Sequence, residues 1–282
     1  MIKKISLELN ADKSVRLKED TIRVIRSLKF TPVPFFGQNF VVDEDLIECL
    51  IDIAMISHGD RILEIGGGIG TLTSRIARSK ASITYTIEAD RKLSSYLKKC
   101  FANTKNVRVI GGDFLDIDLN FTSFNKIVSN PPFHISTDIL RKLIQYNFDS
   151  ATLTFQKDFV QKMISSPSTS NYSKISVLSR LFFNIRAIRE FPSYSFFPSP
   201  NTIISLISLK LKAERPKISL GFWEFLTFAF TYRNRKFKNV IFEFQRTKGL
   251  DHIESSFNFR DDKVFQISPE LFLTSFNSFN KS

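Results

Sequence analysis

The stretch Arg61-Ile62-Leu63-Glu64-Ile65-Gly66-Gly67-Gly68-Ile69-Gly70 sets the frame for the rest of the chain. Its first half is a short apolar run that suits a β-strand. Its second half is rich in glycine, which lets the backbone turn sharply and lets a ligand come close to it. Working outward, further strand-like runs lie at Ile83 to Ile87, Val107 to Ile110, Lys126 to Ser129 and Ala151 to Phe155. Helical spacing occupies the stretches near 70–79, 91–102 and 136–147 between them. Strands alternating with helices predict a parallel sheet covered on both faces.

After Phe155 the pattern changes. A helix is expected near 157–164, then a polar Ser-Pro-Ser-Thr-Ser loop at 166–170 and another helix near 173–182. The runs Phe183 to Phe191 and Thr202 to Leu211 read as an antiparallel pair closing the sheet, and residues 215–282 read as mostly helical. Before the sheet, Lys18 to Lys29 can form an amphipathic helix that Thr31-Pro32-Val33-Pro34 would break. The expected organisation is an N-terminal arm over 1–35, an α/β domain over 36–212 and a basic helical domain over 213–282. A chain of 282 residues has material for a sizeable core and a second, smaller domain.

Composition narrows the classes. Lys and Arg number 40 against 28 Asp and Glu, for a net charge of +12, and residues 151–282 hold 19 of the basic and 10 of the acidic residues. That C-terminal excess points to a polyanionic partner, and charge alone does not separate RNA from DNA or anionic lipid. Cys49 and Cys100, with His58, His134 and His252 scattered singly, offer no metal-ligand spacing and no disulfide framework. Met1-Ile2-Lys3-Lys4-Ile5-Ser6 leads into charged residues, and no run approaches the roughly 18 apolar residues of a membrane-spanning helix. A cytoplasmic protein, acting as a monomer, is the expectation.

The strand ends carry the chemistry. Glu88 ends the second strand, where a carboxylate can accept both hydroxyls of a ribose, and Asp113 follows the third, where it can accept from the exocyclic amine of a bound adenine. A dinucleotide fingerprint, Gly-x-Gly-x-x-Gly, would need glycine at position 71, which is Thr71, so NAD is weakly indicated. The ribose acid alone does not separate NAD from S-adenosylmethionine. The fourth strand decides, because it ends in Val128-Ser129-Asn130-Pro131-Pro132-Phe133. An Asn side-chain oxygen and the carbonyl of the following proline can accept the two N–H groups of a planar amine, steering its lone pair toward an electrophilic methyl. The prolines stiffen the turn and the aromatic ring can stack on the substrate plane.

Taken together, these residues resemble the ribosomal RNA adenine N6-dimethyltransferases, of the KsgA and Erm types, over roughly residues 35–240. The resemblance rests on Phe36-Gly37-Gln38-Asn39-Phe40-Val41-Val42-Asp43, Glu64-Ile65-Gly66-Gly67-Gly68, Glu88, Asp113 and Asn130-Pro131-Pro132-Phe133-His134-Ile135-Ser136-Thr137. It continues in Thr154-Phe155-Gln156-Lys157-Asp158, Phe196-Phe197-Pro198-Ser199-Pro200 and Tyr232-Arg233-Asn234-Arg235-Lys236-Phe237-Lys238-Asn239.

The resemblance implies a doubly wound, mostly parallel, seven-stranded Rossmann-like sheet with a small, mostly helical C-terminal domain. It implies S-adenosylmethionine as cofactor, with Asn39, Val41, Gly66, Gly68, Glu88, Asp113 and Asn130 around it. Asn130 and Pro131 would hold the target N6, Phe133 would stack on the base and Phe196 would close its other face. Arg233, Arg235, Lys236 and Lys238 would bind phosphates. The implied substrate is a pair of adjacent adenines in a 3′-terminal helix of small-subunit ribosomal RNA, or of the pre-ribosomal small subunit, with no metal. A large-subunit, resistance-type enzyme, an assembly factor with little catalysis and a protein-glutamine methyltransferase remain open alternatives, as does the number of methyl groups transferred.

Overall fold

The computed structural model describes residues 2–32, 37–249 and 261–279, with the side chains of 2–12, Leu220 and Phe279 left aside. Phe36 of the N-terminal motif and the 250–260 part of the expected helical tail therefore lie outside the described residues. The chain divides into two compact units. The first comprises Met1–Lys157 and Ile185–Leu211, the second Asp158–Asn184 and Lys212–Ser282. This differs from the expected boundary near 213, because residues 158–184 leave the α/β domain for the helical one.

The first unit is built on a seven-stranded sheet. Its strands are β2 (Arg61–Ile65), β3 (Ile83–Glu88), β4 (Val107–Gly111), β5 (Lys126–Ser129), β6 (Ser150–Gln156), β7 (Phe183–Phe191) and β9 (Ile204–Leu211), in the spatial order β4-β3-β2-β5-β6-β9-β7. Strands β2 to β6 pair in parallel and β9 runs antiparallel to β6. Parallel strands covered on both faces bury nearly every side chain. In β2 all residues after Arg61 are buried, Glu64 included. The connecting helices are α3 (Thr71–Ala77), α4 (Arg91–Cys100) and α5 (Ser136–Leu143). Helix α4 starts where the Asp90 carboxylate accepts from the backbone N–H groups of Lys92 and Leu93, a side-chain cap for two otherwise unpaired donors. It buries Leu93, Ser94 and Leu97 on one face.

The amphipathic helix expected over 18–29 is longer, α1 (Ile2–Ser27). It packs on α2 (Glu44–Ala54): the Ser14 hydroxyl accepts from the Glu44 N–H at 3.0 Å, and Leu17 joins the core that includes Leu46, Leu50 and Ile76. A second, two-stranded sheet had no counterpart in the sequence reading. It joins β1 (Phe40–Val41) to β8 (Phe196–Phe197), with Phe40 opposite Phe197 and Val41 opposite Phe196.

The second unit is helical, with α6 (Lys157–Ile164), α7 (Lys174–Phe182), α8 (Leu220–Thr231), α9 (Phe237–Lys248) and α10 (Pro269–Phe279). Phe225 anchors its core, with the rings of Phe244, Phe276 and Phe272 at 5.1, 5.8 and 6.2 Å. Tyr172, fully buried, donates its hydroxyl to the Ile267 carbonyl at 2.8 Å. That tie, made 95 positions away in sequence, is one reason residues 158–184 belong with this unit.

Candidate active site

The site forms where the strand order reverses, between β2 and β5. Their ladder runs only through Ile62–Lys126 and Leu63–Ile127. Beyond it the buried Ser129 hydroxyl takes over, donating to the Ile65 carbonyl at 2.6 Å and accepting from the Ile65 N–H at 3.2 Å. A side chain thus satisfies backbone groups that a neighbouring strand would otherwise pair. At this switch point a cavity of about 410 Å³ opens, the place where doubly wound sheets take ligands.

All seven residues expected around a cofactor line this cavity: Asn39, Val41, Gly66, Gly68, Glu88, Asp113 and Asn130. Gly66 and Gly68 hold φ of +84° and +57°, where a side chain is strained, and a Cβ on Gly66 would come within 3.2 Å of Pro132. Glu88 accepts from the Gly68 N–H at 2.7 Å and the Asp90 N–H at 2.9 Å, one on each carboxylate oxygen. Each oxygen keeps a lone pair for a ribose hydroxyl. Burial raises the Glu88 carboxyl above its ordinary range, and the two amides oppose that rise. Asp113 spends one oxygen on the Leu115 N–H at 2.8 Å. Asn39 lines the cavity, and its side-chain oxygen is buried with no hydrogen-bond partner among the described residues. Two acids at successive strand ends, beside a glycine-lined backbone, suit a ligand that carries hydroxyl and amine donors.

Asn130 is held at both ends of its carboxamide. Its Nδ2 donates to the Asn39 carbonyl at 3.0 Å, and its Oδ1 accepts from the Thr154 hydroxyl at 2.5 Å. A backbone carbonyl can only accept, so the nitrogen must face Asn39 and the oxygen Thr154. Pro131 is buried and does not line the cavity, whereas Pro132 does. Phe133 and Phe196, expected on opposite faces of a base, lie instead against each other. Their centroids are 6.1 Å apart at 78°, with Phe133 8% exposed and Phe196 fully buried.

Sequence reasoning passed over two residues. Glu64 lines the cavity, is 1% exposed and accepts from the hydroxyls of Thr73 at 2.6 Å and Thr86 at 2.8 Å. Burial pushes its carboxyl up to about 8 although both hydroxyls pull it down. An acid set between two apolar residues of a central strand was the available signal. Thr154 opens the family-like segment Thr154 to Asp158 but had no role assigned, because only the β5–β6 register brings it to Asn130.

The four residues expected to bind phosphate lie in the second unit and all have partners. Arg233 donates to the carbonyls of Thr169 and Ser170, both at 2.9 Å, and sits 5.1 Å over the Phe265 ring. Arg235 pairs with Glu243 at 2.7 Å, and Lys236 and Lys238 share Asp261 at 2.8 and 2.7 Å. Arg233 therefore serves the local structure, while the other three make exposed ion pairs that an incoming phosphate can displace at small cost.

The fold and the cavity define a Rossmann-like methyltransferase that uses S-adenosylmethionine. Residues 30–281 match the ribosomal RNA adenine dimethylase family, and the chain belongs to that family. A probable ribosomal RNA small subunit methyltransferase A from Methanococcus vannielii is 34% identical over 247 residues, covering 83% of this chain and 91% of that one. Among solved structures, a dimethyladenosine transferase from Plasmodium falciparum superposes with a TM-score of 0.70 at 22% identity, covering 86% of this chain and 98% of that one. The 23S rRNA methyltransferase ErmE superposes at 0.59, also 22% identical, over 86% of this chain and all of that one. At such identity the two structures speak for the fold alone. The chain is an rRNA adenine methyltransferase, and among the described residues no helix is long and apolar enough to cross a membrane.

Proposed function

We propose that the protein dimethylates N6 of two adjacent adenines in a 3′-terminal helix of small-subunit ribosomal RNA, acting as a monomer in the cytoplasm on the pre-ribosomal small subunit. The observation that carries this reading is Asn130, fixed at the cavity wall with its side-chain oxygen committed to accepting. S-adenosylmethionine, held by Asn39, Val41, Gly66, Gly68, Glu88 and Asp113, supplies an electrophilic methyl.

The adenine amine shares its lone pair with the ring, and no side chain can deprotonate it near neutral pH. Asn130 Oδ1 accepts one of its N–H groups and turns the lone pair out of the ring plane, while the Pro131 carbonyl, expected to accept the other, belongs to a buried residue outside the cavity lining and reaches the amine only if the turn opens. With the cofactor bound there, its sulfonium would supply the methyl to the oriented amine, and the proton shed by N6 would pass to water. Orientation of this kind does the work of catalysis without a general base. A base reaches such a cavity only when it leaves its stack, and stacking on Phe133 offsets part of that cost. Small-subunit substrate choice is supported by the names of the relatives that the chain resembles over most of its length.

The test is incubation with labelled S-adenosylmethionine and separately purified, unmethylated small and large ribosomal subunits, followed by nucleoside analysis. N6,N6-dimethyladenosine in small-subunit RNA is the expected product. Label in large-subunit RNA, or in neither with cofactor bound, would overturn the assignment. Asn130→Ala should abolish transfer and leave cofactor affinity near the parent value.

A further inference from the structure

We propose that Thr154 is a positioning residue for methyl transfer: its hydroxyl locks the Asn130 carboxamide and leaves Oδ1 one lone pair aimed at the target amine. The inference rests on the role of Asn130 given above. Thr154 lies on β6, fully buried, one strand over from the Asn-Pro-Pro-Phe turn. The β5–β6 register matches Val128 with Thr152 and Ser129 with Leu153, so the next step along both chains sets Thr154 beside Asn130. The 2.5 Å contact is side chain to side chain, and Thr154's own backbone is already placed by pairing with Leu206 of β9. The hydroxyl is therefore not needed to hold the strand.

An amide oxygen has two acceptor positions. Thr154 fills one, and the Asn39 carbonyl takes one of the two Nδ2 protons at the other end. The carboxamide can neither flip nor swing. A threonine is suited to this because its branched Cβ restricts χ1 and so fixes the direction in which the hydroxyl donates.

The two transfers should depend on this lock unequally. Unmodified adenine offers two N–H groups, and Oδ1 can orient it through either. After the first methyl only one N–H remains, and orientation of the second transfer rests on a single bond. Loss of the lock should slow the second transfer more than the first.

Thr154→Val keeps shape and strand preference and removes only the donor, while Thr154→Ser keeps the donor. Both would be compared with the parent and Asn130→Ala using small ribosomal subunits. For Thr154→Val, kcat should fall roughly tenfold, the scale of one hydrogen bond, with KM for cofactor and RNA unchanged. Its ratio of mono- to dimethyladenosine should rise, and the Asn130 side-chain amide signal should shift in ¹⁵N–¹H spectra of the cofactor-free protein. Thr154→Ser should restore rate, ratio and signal. Parent rate and ratio in Thr154→Val would overturn the proposal, as would a joint loss of cofactor affinity and melting temperature, which marks a structural role. Failure of the Asn130 reading is seen separately, as activity surviving in Asn130→Ala.

Discussion

Phe133 and Phe196 meet edge to face, 6.1 Å apart, and Phe196 is fully buried in the core around them. A base that stacks on Phe133 must part this pair. Phe133→Leu keeps an apolar side chain but loses the stacking surface, so kcat/KM for ribosomal RNA should drop by the equivalent of about 1–3 kcal/mol while cofactor affinity holds. Phe196→Ala should lower unfolding free energy by about 3–5 kcal/mol, because the ring fills a fully buried place in the core. Steady-state kinetics and denaturant titration read the two effects, and an unaffected Phe133→Leu would remove the stacking role.

Glu64 makes stability depend on pH in a direction opposite to that of a salt-bridged acid. Its folded carboxyl titrates near 8 against an ordinary 4.5, so between those values the native state holds a proton that the unfolded chain has released. Stability should fall as pH rises through that window, with a slope of at most about 1.4 kcal/mol per unit from this group. Glu64→Gln, which still accepts from Thr73 and Thr86, should flatten the profile and be the more stable protein at pH 8. Parallel pH profiles for the two proteins would count against the assignment.

Gly67 is required for space. A Cβ there would sit 2.3 Å from Thr86 Cγ2 and 2.8 Å from Leu97 Cδ1, contacts that real side chains do not make. Gly67→Ala should cost about 1–3 kcal/mol in a urea or guanidinium titration. A neutral substitution would mean that β3 and α4 can move apart without penalty.

Variants of Lys236 and Lys238 test RNA binding apart from folding. Both are partly exposed and share Asp261, whose carboxyl the Lys236 and Lys238 ammonium groups hold at about 2. Replacing both by Ala should leave melting nearly unchanged and reduce the slope of log affinity against log salt by roughly 2. Arg233→Ala should instead destabilise the second unit, since two backbone carbonyls and the Phe265 ring lose their partner. An unchanged salt slope for the double variant would place the phosphate contacts elsewhere.

The central sheet was legible because its signals are local. Arg61 to Ile65, Lys126 to Ser129 and the strands between and beside them are short apolar runs bounded by turns or charged helices, and the structure has strands at each. The cavity wall was legible for a related reason: pockets at a switch point are lined by strand ends, and Gly66, Glu88, Asp113 and Asn130 are all at or just past strand ends. Helix α1 was read too short because its first half lacks a clear apolar stripe. The compact units differ from the division expected near 213 because the buried Tyr172 hydroxyl, between α6 and α7, donates to the Ile267 carbonyl, a tie that no local pattern shows.

The sequence by itself determined the strand order along the chain, the residues at the strand ends and the polar groups available for cofactor and amine, since each depends on near neighbours. Tertiary structure alone decided the rest. It paired Phe40-Val41 with Phe196-Phe197, turned the Asn130 amide between Asn39 and Thr154, and set Phe133 against Phe196. It also gave the four predicted phosphate ligands protein partners, and buried Glu64 where its carboxyl holds a proton. These outcomes depend on register and packing between segments far apart in the chain, and no local pattern of residue types encodes which oxygen meets which nitrogen across a sheet.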